Sequence, residues 1–237
     1  YYLTMELLSG QDLSVWLRAR GGIPVPDLLR MGGQICEALG EAHRAGVIHR
    51  DIKPQNVFID ERGQVKLMDF GISRITTLPT VTQGGKLIGT PRYMSPEQIH
   101  GRVDPDHRSD LYSVGVVLYE LCTGRTPFQG SNTIEIAMKQ LGQMPLRPRE
   151  LNPGTPAALD NVIMRCLQKD RGDRFQTAQE LRDALAAVPS LTATAVEGDA
   201  SEETQPIPVP PRPVSVTRRP PVYTDRTSRP SPTTHPS

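Results

Sequence analysis

Two short phrases in the first third of the chain contain the side chains that could do chemistry. HRDIKPQN spans residues 49–56, and MDFG spans residues 68–71. They offer two carboxylates, one ammonium and one amide, on Asp51, Asp69, Lys53 and Asn56. Oxygen groups of this kind suit Mg²⁺. Phosphoryl transfer needs metal-holding oxygens, a cation at the transferred phosphate and a base that orients the attacking hydroxyl. The two phrases therefore predict a phosphoryl-transfer site.

Both phrases resemble motifs of the eukaryotic-type serine/threonine protein kinases, in their bacterial branch. The longer stretches HRDIKPQNVFI and RSDLYSVGVVLYELCTG carry the bacterial likeness. The resemblance implies ATP as co-substrate and Mg²⁺ as cofactor. It also implies that Asp51 is the base that accepts the substrate hydroxyl proton, that Lys53 contacts the γ-phosphate, and that Asn56 and Asp69 hold the magnesium ions. An isolated loop Asp or Asn would ordinarily be a turn residue, but two complete motifs argue against that interpretation.

A third phrase, GTPRYMSPE at residues 89–97, resembles the segment of these kinases where the peptide substrate docks. By this resemblance, Thr90 would contact the base and the lysine of the catalytic loop, as in serine/threonine kinases. Glu97 would pair with Arg174 of the KDRGDRF phrase. A bidentate Arg–carboxylate pair suits such a latch. The alternative is a surface salt bridge of little energetic weight.

Five further positions acquire structural or regulatory roles from the resemblance. Asp110 would hydrogen-bond the backbone around HRD, although an acid at a helix N-terminus would also be favourable there. His49 would be a core histidine that holds the loop. Arg50 would sit beside a phosphorylated residue, and we predict autophosphorylation at Thr80 or Thr82, which would order the segment. Ordinary solvated threonines are the alternative.

The first residues, YYLTMELLSGQDL, resemble the strand and hinge that join the two lobes of a kinase. By that alignment Met5 is the gatekeeper beside the adenine. The Glu6 carbonyl and the Leu8 amide would face the adenine edge, and Asp12 would approach the ribose. Backbone contacts leave little trace in a sequence, so a plain core strand is the competing interpretation.

The sequence contains neither a G-x-G-x-x-G loop nor a V-A-x-K run. The family has both in its N-terminal lobe, so the resemblance implies that this chain lacks most of that lobe. The ATP site would then lack the lobe that covers the nucleotide, and the charges on the phosphates would be incompletely neutralised. We therefore expect negligible activity and weak nucleotide binding from this chain alone.

The elements that must position these residues form an α+β fold, like the C-terminal lobe of a protein kinase. The pattern predicts a mainly helical domain over residues 1–188 with a short β-hairpin. Strands are predicted at 1–7, 57–59 and 65–68. Helices are predicted at 12–20, 26–46, 111–124, 131–141, 156–168 and 176–187. The helix at 111–124 is apolar nearly all round, so it belongs in the middle of the core, and Ser109 is expected to cap it.

Composition limits the remaining possibilities. The net charge of +1 gives no electrostatic argument for nucleic acid, and no apolar run is long enough to span a membrane. The three cysteines lie far apart, which favours buried thiols in a reducing cytoplasm. Residues 189–237 are rich in Pro, Ser and Thr, which predicts a disordered tail. Its PVPPRP run at 208–213 could be a polyproline ligand, but a solvated linker is favoured.

The predicted partners are ATP, proteins with Ser or Thr, and a second copy of the kinase during autophosphorylation. A cytoplasmic catalytic domain is expected. Many relatives carry a membrane span after a Pro-rich linker, so anchoring of a longer parent protein stays open. A pseudokinase-like docking scaffold is one alternative function, and the complete set of site residues argues against it. A small-molecule kinase of similar fold is another, and the peptide-docking phrase argues against that.

Overall fold

The structure is a computed structural model, and it describes residues 6–20, 22–70, 91–101 and 104–189. The chain divides into two units, 1–203 and 204–237, and all described residues belong to the first. Several sequence predictions lie outside the described residues: the tail beyond residue 189, and the positions Met5, Thr80, Thr82 and Thr90.

Helices dominate the described part of the chain, and a small antiparallel sheet completes it. The helices are α1 Leu13–Arg20, α2 Val25–Arg44, α3 Pro96–His100, α4 His107–Thr123, α5 Thr133–Gly142, α6 Pro148–Leu151, α7 Ala157–Cys166 and α8 Ala178–Ala186. Short 3₁₀ turns cover Pro54–Asn56, Pro91–Tyr93 and Arg171–Asp173. The strands are β1 Gly10–Asp12, β2 Val57–Asp60 and β3 Val65–Leu67, in the order β1-β2-β3.

The predicted hairpin is present as β2 and β3. Its turn residue Gly63 has φ 74°, a left-handed conformation that glycine adopts without a steric cost. The carboxylate of Asp60 accepts hydrogen bonds from the backbone amides of Arg62 and Gln64, each at 2.8 Å, and so closes the turn. These local interactions explain why the sequence alone located the hairpin.

The strand expected at residues 1–7 is wrong in its described part, since residues 6–9 form no strand. The first strand is instead Gly10–Asp12, which pairs antiparallel with β2. Glycine and aspartate disfavour strands, so their composition pointed to a turn. The pairing partner lies about fifty residues further along the chain, and no local pattern reveals it.

Helix α4 passes through the middle of the core, as its apolar sequence predicted. Thirteen of its 17 residues are buried, and it packs against α2 and α7. The predicted cap is wrong, because Asp106 and not Ser109 caps α4. The Asp106 carboxylate accepts a hydrogen bond from the Arg108 amide at 2.9 Å. Ser109 lies inside the first turn, where its hydroxyl donates to Glu97 at 2.6 Å.

The three cysteines are buried free thiols. Burial raises the pKa of the Cys36 thiol to about 12, although the nearby Arg182 acts in the opposite direction. These thiols are therefore protonated core side chains, and the thiolate form needed for metal binding or nucleophilic attack is suppressed. Among the described residues, no helix has the length and apolar character needed to cross a membrane.

Candidate catalytic site

The loop between α2 and β2 brings together three of the predicted site residues. The Lys53 ammonium donates to Asp51 Oδ2 at 2.8 Å. The Asn56 amide donates to the Asp51 carbonyl at 2.8 Å and to Asp51 Oδ2 at 3.1 Å. The side chains of Asp51 and Lys53 remain about one-third exposed. The arrangement fixes one carboxylate oxygen by hydrogen bonds and leaves Oδ1 for a ligand.

Asp110, near the start of α4, fixes the backbone of this loop by hydrogen bonds. Its carboxylate accepts the backbone N–H of His49 at 2.9 Å and that of Arg50 at 2.8 Å. It also pairs with His43 Nε2 at 2.8 Å. The Asp110 side chain is only 1% exposed. A buried carboxylate with several donors is a strong acceptor, so α4 pins the backbone immediately before Asp51. These are the backbone contacts that the resemblance implied for Asp110.

His49 joins the catalytic loop to the segment that contains Asp69. Its ring is fully buried, lies 4.6 Å from the Phe70 ring, and has Nε2 at 3.0 Å from the Met68 carbonyl. The Asp51 amide points at Nδ1 at 3.3 Å, so Nδ1 accepts and Nε2 carries the proton that goes to Met68. Burial lowers the pKa of His49 despite the nearby Asp110 charge. A neutral ring that is buried in the core and makes hydrogen bonds through both nitrogens has a structural role.

The two residues with positive φ other than glycine in the described part of the chain both lie in this region. Arg50 has φ 65° and Asp69 has φ 55°. Left-handed backbone is unfavourable for residues with a Cβ, and such outliers cluster at functional sites. The Nε of Arg50 is buried and has no hydrogen-bond partner among the described residues.

The side chains that could hold magnesium are Asn56 and Asp69. A backbone hydrogen bond next to the hairpin brings their segments together, because the Met68 amide donates to the Asn56 carbonyl at 2.9 Å and Asp69 follows directly. Asn56 is 5% exposed, and its amide nitrogen is committed to Asp51, which orients its oxygen away. One amide oxygen and one carboxylate fit Mg²⁺, which usually shares its ligands with substrate phosphates. Within the described ranges, no group of three His, Cys, Asp or Glu side chains could hold a metal ion.

Glu97 and Arg174 form the predicted pair, and it is buried. Arg174 donates from its two terminal nitrogens to the two Glu97 oxygens at 2.8 and 2.9 Å. The side chains are 0% and 7% exposed, which excludes a solvated surface salt bridge. Burial raises the pKa of Glu97, but hydrogen bonds from Arg174 and Ser109 and the Arg174 charge outweigh it and hold that pKa below its ordinary value.

The predicted hinge residues Glu6, Leu8 and Asp12 make contacts that do not by themselves indicate a nucleotide site. The exposed Glu6 side chain lies 2.6 Å from the Lys66 ammonium, and Leu8 is half-buried. The Asp12 carboxylate accepts the backbone amides of Ser14 at 2.9 Å and Val15 at 3.2 Å. Asp12 therefore caps α1, and an Asp directly before a helix is the sequence signal for this role. Its predicted contact with ribose stays a prediction, as do the adenine contacts of Glu6 and Leu8.

Two further residues that sequence reasoning missed support the loop. His43 shares the Asp110 carboxylate, and Gln98 donates to the Arg50 carbonyl at 2.8 Å. The S-x-x-Q spacing before α3 signals a capping box, which the structure contains. No sequence signal marks the longer-range contact of either side chain.

The helical fold and this loop define the chain as a member of the protein kinase domain family, whose match covers residues 1–185. Two bacterial serine/threonine-protein kinases are similar to it. The chain is 36% identical over 181 residues to the serine/threonine-protein kinase PrkC of Bacillus subtilis, covering 76% of this chain and 28% of that protein. It is 40% identical over 190 residues to the serine/threonine-protein kinase PknB of Mycobacterium leprae, covering 80% of this chain and 30% of that protein. The chain therefore spans about three tenths of the length of these relatives.

Proposed function

We propose that this chain carries the catalytic loop of a serine/threonine protein kinase that transfers the γ-phosphate of ATP to protein hydroxyls. The observation that carries the proposal is the cluster of Asp51, Lys53 and Asn56, held on a loop whose backbone is pinned by Asp110. The relatives named as serine/threonine kinases support the same activity. No observation favours a docking scaffold, because the site residues of an enzyme are present.

Each side chain has a defined task in this proposal. Asp51 accepts the proton of the attacking hydroxyl at Oδ1, because Oδ2 is occupied by Lys53 and Asn56. Lys53 supplies positive charge at the transferred phosphoryl group. Asn56 and Asp69 would hold Mg²⁺, which neutralises phosphate charge when bound with ATP. Thr90 would contact Asp51 and Lys53 and favour Ser or Thr over Tyr in the substrate.

The proposal also assigns the chain to one lobe of the kinase. The helix-rich domain corresponds to the C-terminal lobe and hinge, with Glu6, Leu8 and Asp12 on the ATP side. The sequence has no Gly-rich phosphate loop and no lysine in a V-A-x-K run. This chain alone should therefore transfer little phosphate, and activity should require an added N-terminal kinase lobe that carries both motifs. We place the domain in the cytoplasm.

Arg50 supports a second part of the proposal, activation by phosphorylation at Thr80 or Thr82. Its buried Nε lacks a hydrogen-bond partner in the described residues, so a phosphate could satisfy it. Phosphopeptide mapping of the active enzyme should find phosphate in residues 71–90. An active enzyme without phosphate in that segment would refute this part.

Intact mass measurement after incubation with Mg-ATP and a generic protein substrate tests the activity. We would compare this chain, a longer form with an added N-terminal kinase lobe, and the longer form with Asp51→Asn. Asp183→Asn, on the exposed surface of α8, is the matched control. The proposal is supported if only the longer form and its Asp183→Asn variant gain phosphate. No phosphate on any form or substrate rejects kinase activity, and labelling by the chain as given rejects the assignment to one inactive lobe.

A further inference from the structure

Gln98 connects the segment before α3 to the catalytic loop. Its side chain is buried, with 4% exposure, and lies at the third position of α3. Its Oε1 accepts the backbone amide of Ser95 at 3.0 Å and the Ser95 hydroxyl at 3.2 Å. Its Nε2 donates to the carbonyl of Arg50 at 2.8 Å, across 48 residues of sequence. A capping glutamine needs only the first of these contacts, so the bond to Arg50 requires its own explanation.

The orientation of the Gln98 amide follows from its partners. The Ser95 N–H can only donate, and the Arg50 carbonyl can only accept. A flipped amide would face an N–H with its own NH₂ and a carbonyl with its own oxygen. The bond from Nε2 to Arg50 is therefore fixed by the network around it.

Both peptide groups of Arg50 are thereby fixed, each from a different element. Its N–H donates to Asp110 Oδ1 at 2.8 Å from α4, and its C=O accepts from Gln98. This carbonyl belongs to the peptide bond that leads directly into Asp51. The φ of 65° at Arg50 is unfavourable without such support, because a Cβ disfavours left-handed backbone. Two hydrogen bonds thus hold a strained residue immediately before the proposed base.

We infer that Gln98 is a positioning residue, which sets the placement of Asp51 by holding the Arg50 carbonyl. The inference rests on the proposed kinase function and assigns that site a part that the motifs do not contain. It also connects the 91–97 segment, where the peptide substrate is proposed to dock, to the base that would accept the substrate proton.

The effect of losing this bond should fall on turnover and not on nucleotide binding. Without Gln98 the Arg50 carbonyl loses this donor, and the peptide group between Arg50 and Asp51 is free to rotate. A misplacement of about 1 Å in a catalytic group lowers turnover by about 100-fold. The predicted hinge contacts at Glu6 and Leu8 lie on a different element, so the KM for ATP should stay unchanged.

The experiment compares Gln98→Met with Gln34→Met in the longer, active form of the kinase. Gln34→Met is the matched control, because it also removes one side-chain bond to the backbone: Gln34 Oε1 accepts the Val65 amide of the hairpin at 2.7 Å. Gln98→Glu is the second variant, because it keeps the shape and the acceptor for Ser95 and replaces the NH₂ that donates to Arg50 with a carboxylate oxygen. The readouts are kcat, the KM for ATP, and amide hydrogen exchange of residues 49–53 well below the unfolding temperature.

We expect both Gln98 variants to lower kcat by about 100-fold with an unchanged KM, and to speed exchange in residues 49–53. Gln34→Met should change neither. Folded Gln98 variants with normal kcat and normal exchange would overturn the inference. If the unsubstituted protein transfers no phosphate, the kinase proposal fails separately, and exchange in residues 49–53 still decides whether Gln98 holds the loop. Should Gln98→Met fail to fold, Gln98→Glu decides alone.

Discussion

The pair between Glu97 and Arg174 offers a quantitative test of how the domain is held together. All five N–H groups of Arg174 are used: two bonds go to Glu97, and three go to the carbonyls of Gln168, Lys169 and Arg108. A fully buried guanidinium survives only with such complete pairing. Removing one charge of a buried pair costs about 3–5 kcal/mol, since the other charge stays buried without compensation.

We therefore expect Glu97→Gln to destabilise the domain by about 3 kcal/mol or more, a large part of the typical 5–15 kcal/mol. Arg174→Met should cost at least as much, because it also removes the N–H donors to three backbone carbonyls. The double variant should cost less than the sum of the two, with a coupling of about 2–3 kcal/mol.

The assay is urea unfolding followed by the fluorescence of Trp16, which is the single tryptophan of the chain and 6% exposed. Glu135→Gln is the control, since the Glu135–Lys139 pair is about one-third exposed on both sides and should matter little. A loss below about 1 kcal/mol for Glu97→Gln, or additive single effects, would show that the pair behaves like a solvated one.

Three further predictions follow from other contacts. Asp110→Asn should cost about 2–3 kcal/mol and lower kcat, because an amide NH₂ would face a backbone N–H; unchanged urea midpoints and rates would contradict this. Burial and a neighbouring arginine lower the pKa of Lys169 to about 8. At this residue the unfolded chain binds more protons between pH 8 and the ordinary lysine value, so the contribution of Lys169 to stability should rise with pH there, while the buried cysteines act in the opposite direction. Lys169→Met should lose that contribution, and a pH dependence identical to that of the unsubstituted protein in urea titrations refutes the assignment. A Cβ at Gly115 would lie 2.4 Å from Cys166, so Gly115→Ala should destabilise by about 1–3 kcal/mol. A Cβ at Gly33 would meet no atom within 4 Å, so Gly33→Ala should stabilise the domain by about 0.5–1 kcal/mol. Equal effects of Gly115→Ala and Gly33→Ala on the melting temperature would contradict this reasoning.

The features that the sequence predicted well are those encoded locally. The catalytic loop is one phrase, so Asp51, Lys53 and Asn56 had to be neighbours, and their hydrogen bonds follow from that spacing. The apolar run of α4 could only be buried. The hairpin has its turn signal within four residues.

The features that the sequence did not reveal depend on partners distant in the chain. Strand β1 exists because β2 pairs with it, and its own residues disfavour a strand. Ser109 resembled a cap, but a buried Glu97 twelve positions earlier uses its hydroxyl, and Asp106 caps instead. Gln98 follows a recognisable capping pattern, yet its contact with Arg50 spans 48 residues. Such contacts follow from the packed fold.

The left-handed backbone at Arg50 and Asp69 sets stability against activity at the site. Each of these residues adds about 1 kcal/mol or more of local strain that a glycine would relieve. A library selected only for resistance to heat should therefore accumulate glycine at both positions. The surviving proteins would be more robust and would have lost the carboxylate of Asp69. This chain has the less stable residue at both positions, as expected where a site is shaped by its function and not by stability.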